Sequence, residues 1–253
     1  MNRVVYLCED TPDGIFTAIY DAWAAKIPDG QLSIRVEQNY MMEFFTDYVC
    51  VQTDLEKAVK VARSVSGKIG VQAYDMIYKT ALSCEEEKID VIYHFLKLGF
   101  AQGPSVTAMH TDNIVCRLFE LSRTVTNESH LFREFVRFGE SEEGILISRI
   151  KPKNHVLPLI AHHFADRFQE EDFVILDEVH QMGLFHERRK EWYLSPLTSE
   201  MLEGIWKHSK REEYENLWKI FFETIAIRER KNSQCQRNHC ALRYRDYMVE
   251  FQK

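Results

Sequence analysis

"GILISRIKPKNHVLPLIAHHFADRFQEEDFVILDEVH", residues 144–180, holds two apolar runs of strand length on either side of a helical repeat. GILISRIK and FVILDEV are short and rich in Ile, Leu and Val, as buried strands are. Between them Val156, Ile160, Phe164 and Phe168 recur every four residues, which puts them on one face of a helix. Upstream, FREFVRFGE reads as a strand, with Glu140-Ser141-Glu142-Glu143-Gly144 turning the chain into GILISRIK as a hairpin. Downstream, EWYLS supplies a further strand. Two strands, a helix and two or more strands predict an antiparallel sheet with a helix packed on it, in an α+β fold.

Toward the N-terminus the pattern differs. RVVYLC reads as a buried strand, and Thr11 followed by Pro12 is a helix start. Ile15, Ile19 and Trp23 then keep helical spacing as far as Pro28-Asp29-Gly30. Strands near LSIRVE and YVCVQ complete a β-α-β start. From Asp54 to about Phe100 the spacing is helical, with a break near Ser66-Gly67, and another helix is expected from Ser105 to Thr124. These segments predict a helical layer or subdomain. The division is therefore 1–127 and 128–253, unless the two form one continuous domain. From about Ser199 the chain turns helical again, with Leu217, Phe221 and Ile225 on one stripe.

The chain has 253 residues, 45% hydrophobic and 28% charged, enough for a buried core and unlike a disordered segment. No run approaches the roughly 20 apolar residues of a membrane span. The opening MNRVVYLCED meets two acids too soon for a signal peptide, so a cytoplasmic location is expected. Six cysteines without a C-x-x-C pair predict reduced, mostly buried thiols.

The candidate chemistry is sparse. There is no G-x-G-x-x-G, P-loop or G-x-S-x-G, so no cofactor is expected. His155, His162, His163, His180 and His186 crowd the middle third without the spacing of a metal site. His162 and His163, adjacent on a helix, point about 100° apart. Cys235, His239 and Cys240 lack a fourth ligand, so no metal is expected either. Asp177-Glu178 and Glu142-Glu143 read as solvated edges.

The charge is uneven. Net charge is −7, yet Arg228–Arg245 has six basic residues and one acid, a local +5 on a body of −12. Arginine and lysine there suit phosphates, and Asn232, Gln234, Gln236 and Asn238 suit base edges. Tyr244 and Tyr247 have rings suited to stacking on unpaired bases, and Tyr244 alternatively packs on the body. Equally, the segment reads as a solvated helix end whose arginines meet the chain's own carboxylates.

VVYLCEDTPDGIFTAIYDAW, FVRFGE, ISRIKPKNHVLPLIAHHFADRF, FVILDEVH and LWKIFFETIAIRERKNSQCQRNHCALRYRDYMVEF together resemble one bacterial family over essentially the whole chain. It is the DNA metabolism or DNA repair family that contains a domain of unknown function, and Ile225–Asn238 carries the most specific part of the likeness. Cys240 stands where the family has an apolar residue, which argues against a zinc or thiol role there. Members are typically encoded beside a radical SAM protein, and a related domain is fused to uracil-DNA glycosylase-like modules. The resemblance implies an accessory protein of DNA repair that binds DNA and works with a radical SAM partner. Arg228, Arg230, Lys231, Arg237 and Arg243 would then meet phosphates. Asn238 and His239 would lie near bases or backbone, and Tyr244 would stack or pack. The alternatives are an enzyme acting on damaged bases or nucleotides, with the histidine-rich middle and the tail as one cleft, and a protein-interaction scaffold that touches no DNA.

Overall fold

A computed structural model of the chain describes residues 3–37, 42–207, 209–210, 212–225, 232–248 and 251. The chain divides into two compact units, Met1–Thr126 and Asn127–Lys253.

In the first unit, β1 (Arg3–Cys8) lies between β2 (Leu32–Val36) and β3 (Thr46–Cys50) and runs parallel to both. The crossover from β1 to β2 is α1 (Pro12–Ala24), whose first turn is closed by Thr11 Oγ1 accepting from Gly14 N at 3.0 Å. α2 (Leu55–Lys68) starts on Asp54, which accepts from Glu56 N and Lys57 N. Gly70, at φ 123°, ends its run in a conformation side chains disfavour, and α3 (Val71–Ala81) begins there. α4 (Lys88–Gln102) follows and passes close to Ile69: a Cβ on Gly99 would lie 2.7 Å from Ile69 Cδ1. Ile15, Ile19, Val65, Ile77, Phe95 and Leu96 form the centre of this core. At the carboxyl end of β1, Asp10 pairs with Lys88, whose ammonium is buried and also donates to Ser83 O at 2.7 Å. That strand end is filled by structure.

The helix expected over 105–124 begins later. Pro104 opens a short 3-10 turn, Gly103–Ala108, and Asp112 Oδ1 then accepts from Ile114 N and Val115 N to start α5 (Asn113–Phe135). α5 absorbs the residues FREF that were expected in a strand. Phe132 is buried, with Leu131 and Phe135 packed beside it, so the 3.6-residue spacing wins over the alternation.

In the second unit the sheet order is β8-β7-β6-β5-β4-β9. Its strands are β4 (Gly139–Ser141), β5 (Leu146–Ile150), β6 (Phe173–Asp177), β7 (Met182–His186), β8 (Tyr193–Pro196) and β9 (Ser209–Lys210). The α+β class and the helix-backed sheet are as the residues predict, with the hairpin between β4 and β5. One junction differs: β5 and β6 are parallel, because α6 (Leu157–Arg167) is a crossover between them and not a separate layer. The remaining junctions are antiparallel. Val156, Ile160 and Phe164 are buried against the sheet, each contributing about 1.5–3 kcal/mol. Phe168 is half-buried among Phe138, Phe164 and Phe173. The opposite face carries Ile147, Leu176 and Leu202, the last from α7 (Ser199–Lys207).

α8 (Glu212–Ile225) leaves Leu217, Phe221 and Ile225 exposed. α9 (Ser233–His239) and a 3-10 turn, Leu242–Tyr247, complete the described residues. The thiols are less buried than expected. Only Cys8 is buried; Cys116 and Cys240 are half-buried, and Cys50 at the end of β3, Cys84 in the loop before α4 and Cys235 on α9 are exposed. Among the described residues no helix is long and apolar enough to cross a membrane.

Candidate functional site

Parallel strands bring two loops together where their carboxyl ends meet, and β5 and β6 do so here. β5 runs into Lys151-Pro152-Lys153-Asn154-His155, and β6 into Asp177-Glu178-Val179-His180. Glu178 N donates to Ile150 O at 3.1 Å and ties the loops. The Glu178 carboxylate pairs with Arg149 and, at 3.0 Å, with Lys151.

Asp177 is 1% exposed, so it is not the solvated edge expected from its neighbours. Its Oδ1 accepts from Val179 N and His180 N, which folds the loop back on itself. Its Oδ2 then lies 2.7 Å from His180 Nδ1. With the carboxylate as acceptor, His180 donates from Nδ1, which fixes the orientation of its ring. The His155 ring lies 3.7 Å from the His180 ring, tilted by 34°.

A second buried carboxylate holds the other loop. Glu128 on α5 is 3% exposed and accepts from Lys153 N at 3.1 Å, Asn154 N at 2.9 Å and Asn154 Nδ2 at 2.6 Å. Its fourth partner comes from the tail: Arg243 Nη2 lies 2.9 Å from Oε1. One carboxylate thus joins the basic tail to the histidine pair.

The remaining histidines of this stretch have other roles. His186 is buried, stacked on Phe173 at 4.8 Å, with Nδ1 3.1 Å from Glu171 O. His162 is exposed on α6. His163 is half-buried, and its burial, with Arg133 and Arg167 nearby, lowers its pKa.

Of the eight residues expected to contact nucleic acid, Arg228, Arg230 and Lys231 lie outside the described residues. Arg237, Asn238 and His239 are on α9, which is capped by Asn232 and buries none of its residues. Arg243 is committed to Glu128 and also donates to the Tyr244 hydroxyl. Of the two roles expected for Tyr244, stacking on a base or packing on the body, the structure has the second. Tyr244 is 5% exposed, edge-on to Phe132 at 5.1 Å and tilted on Phe135 at 5.5 Å, so no ring face is free for a base. Burial raises its hydroxyl pKa. It is the anchor of the tail.

Glu128, Asn154 and Asp177 are the polar groups the sequence reading missed. Asp177 had one local signal, a histidine three residues on at a strand end. Glu128 had none, because its partners lie far along the chain.

Residues 86–250 match the profile of the family described as a domain of unknown function, DUF4130. No curated protein matches the chain. Among solved structures, the DHH domain of a protein titled as a member of a family of ribosomal proteins is 10% identical over 73% of each chain, with a TM-score of 0.33. A likeness of that size carries no argument about the fold or the site.

Proposed function

We propose that the chain, which belongs to the DUF4130 family, is a DNA-binding accessory protein of a DNA repair or modification system that works beside a radical SAM enzyme. The observation that supports binding is the construction of the tail. An exposed helix carrying Arg237, Asn238 and His239 is followed by a buried tyrosine and an arginine–carboxylate pair that hold it. Arg237, with Arg228, Arg230 and Lys231, meets phosphates; Asn238 and His239 lie near bases or backbone. Arg243 and Tyr244 position the others. The repair setting and the radical SAM partner rest on the family resemblance of the sequence.

The test is DNA binding against salt. Log affinity falls with log salt at a slope of roughly −3 to −5, and replacing Arg228, Arg230 and Arg237 together by Ala flattens it by about 2 to 3. Undetectable binding at low salt, or indifference to the three arginines, makes the tail a protein-docking surface instead.

A second reading has its own support. The Asp177–His180–His155 group sits at the carboxyl ends of two parallel strands, where α/β sheets commonly hold ligands. An imidazole held in place by a buried carboxylate suits a general base acting on a damaged base or nucleotide. Processing of a damaged oligonucleotide by the chain alone, lost in His180→Asn, identifies the enzyme.

A further inference from the structure

Three helices of the first unit line an open cavity of about 570 Å³, a volume within the range of small-ligand sites. Tyr20 and Trp23 enter it from α1, Lys60 and Lys68 from α2, and Lys97 and Phe100 from α4. Tyr20 and Trp23 are three apart, Lys97 and Phe100 three, and Lys60, Ser64 and Lys68 four, so on each helix they share one face. Among the described residues no carboxylate lines the cavity.

The rings form its apolar side. Trp23 meets Phe100 edge-on at 5.3 Å and Tyr93 at 6.3 Å. The ammonium groups hang over ring faces: Lys60 Nζ is 6.0 Å from the Tyr20 centroid and Lys68 Nζ 5.7 Å from Phe100. Those distances are at the outer limit of a cation–π contact, about 6 Å. Covering rings with aliphatic stems is a common use of lysine, but it does not account for the charge. Lys57, one turn away, has Asp21 at 2.7 Å, whereas among the described residues neither Lys60 nor Lys68 has a carboxylate partner. Lys60 and Lys68, both exposed and eight positions apart on one helix, give the cavity a positive rim that an anion complements.

We propose that this cavity binds an unpaired nucleobase together with its phosphate. The base takes the ring faces that the ammonium groups now cover, and Lys60 and Lys68 swing onto the phosphate oxygens. A free nucleotide and the end of a single strand present the same chemistry. The inference rests on the first unit alone and is independent of the tail.

The experiment uses the full chain, with dATP and a short oligodeoxythymidylate as probes, read by calorimetry and tryptophan quenching. The variants are Lys60→Glu/Lys68→Glu and, for a charge-neutral check, Ser64→Phe, which fills the cavity from its lining; unchanged thermal unfolding shows that each is folded. Binding of dATP that falls about a hundredfold in the double variant supports the site with a free nucleotide as occupant. Binding of the oligonucleotide alone, lost in the same variants, supports it with a strand end. Binding of neither probe, or binding indifferent to both variants, overturns it. Arg237→Ala separates the readings: oligonucleotide binding lost there but kept in the lysine variants sinks the cavity and leaves the tail, and dATP bound without any tail-dependent DNA binding does the reverse.

Discussion

The tail and the first-unit cavity are both cationic, and they are built in opposite ways. The tail gathers its charge in consecutive residues, so neighbours along the chain put it there and two buried anchors, Tyr244 and Glu128, have to hold it down. The cavity draws its lysines from α2 and α4 and its rings from α1 and α4, and it is the packing of those helices that brings them together. A charge cluster that is contiguous in sequence depends on what restrains it. One assembled in space depends only on the core beneath it.

The largest effect that sharpens this contrast is chemical. Burial, with Asp10 adding to it, pushes the Cys8 thiol up to about 12, while Cys235 lies exposed on α9. At neutral pH a thiol reagent therefore labels Cys235 about a thousandfold faster or more, and Cys8 reacts only on unfolding. Slow labelling of Cys235 would mean that α9 is covered, and the contrast would break.

Next comes the anchor itself. Glu128→Ala removes the acceptor of Lys153 N, Asn154 N, Asn154 Nδ2 and Arg243, at a cost of about 3–5 kcal/mol in urea unfolding. Arg237→Ala on the exposed helix stays within about 0.5 kcal/mol. If the two cost the same, the tail is not anchored where the geometry has it.

Tyr244 gives a smaller, pH-dependent effect. Its raised pKa means that the folded state keeps the phenol proton above the ordinary value of 10.0. The stabilisation is whole below about pH 10 and is lost as pH rises through the folded value. Relative to wild type, Tyr244→Phe therefore gains stability between neutral pH and about pH 11. A constant difference over that range would place the hydroxyl in water.

The smallest effect is the most discriminating. Lys60→Ala and Lys68→Ala change unfolding stability by less than about 0.5 kcal/mol, because neither ammonium has a carboxylate partner among the described residues. A loss of more than about 1 kcal/mol in either would make these lysines structural.

The legible parts of the fold were those with local signals. Thr11-Pro12 marks the start of α1, and Val156, Ile160 and Phe164 mark the sheet-facing side of α6. β7 lacks such a mark: Gly183 sits inside it, and His186 reads as polar although it is buried. The residues FREF carry both an alternating and a helical pattern, and packing on Tyr244, distant in sequence, favours the helix. In the site, the tail's charge was visible, but the division into anchors and open contacts was not. Hydropathy ranks Arg243 with Arg237 and cannot see that a buried carboxylate on α5 waits for one of them. The cavity was invisible for a plainer reason: its residues are scattered from Tyr20 to Phe100.

The Glu128–Arg243 pair also bears on how the chain is made. Synthesis proceeds from the N-terminus, so the residues of α5, the sheet and both loops leave the ribosome before those of the tail. Until then Glu128 has its backbone donors but no cation, and the hydrophobic seat of Tyr244 stands open beside it. Closure of the second unit is thus among the last events in its biogenesis, and a nascent chain stalled short of Arg243 exposes Phe132 and Phe135 together with an uncompensated acid.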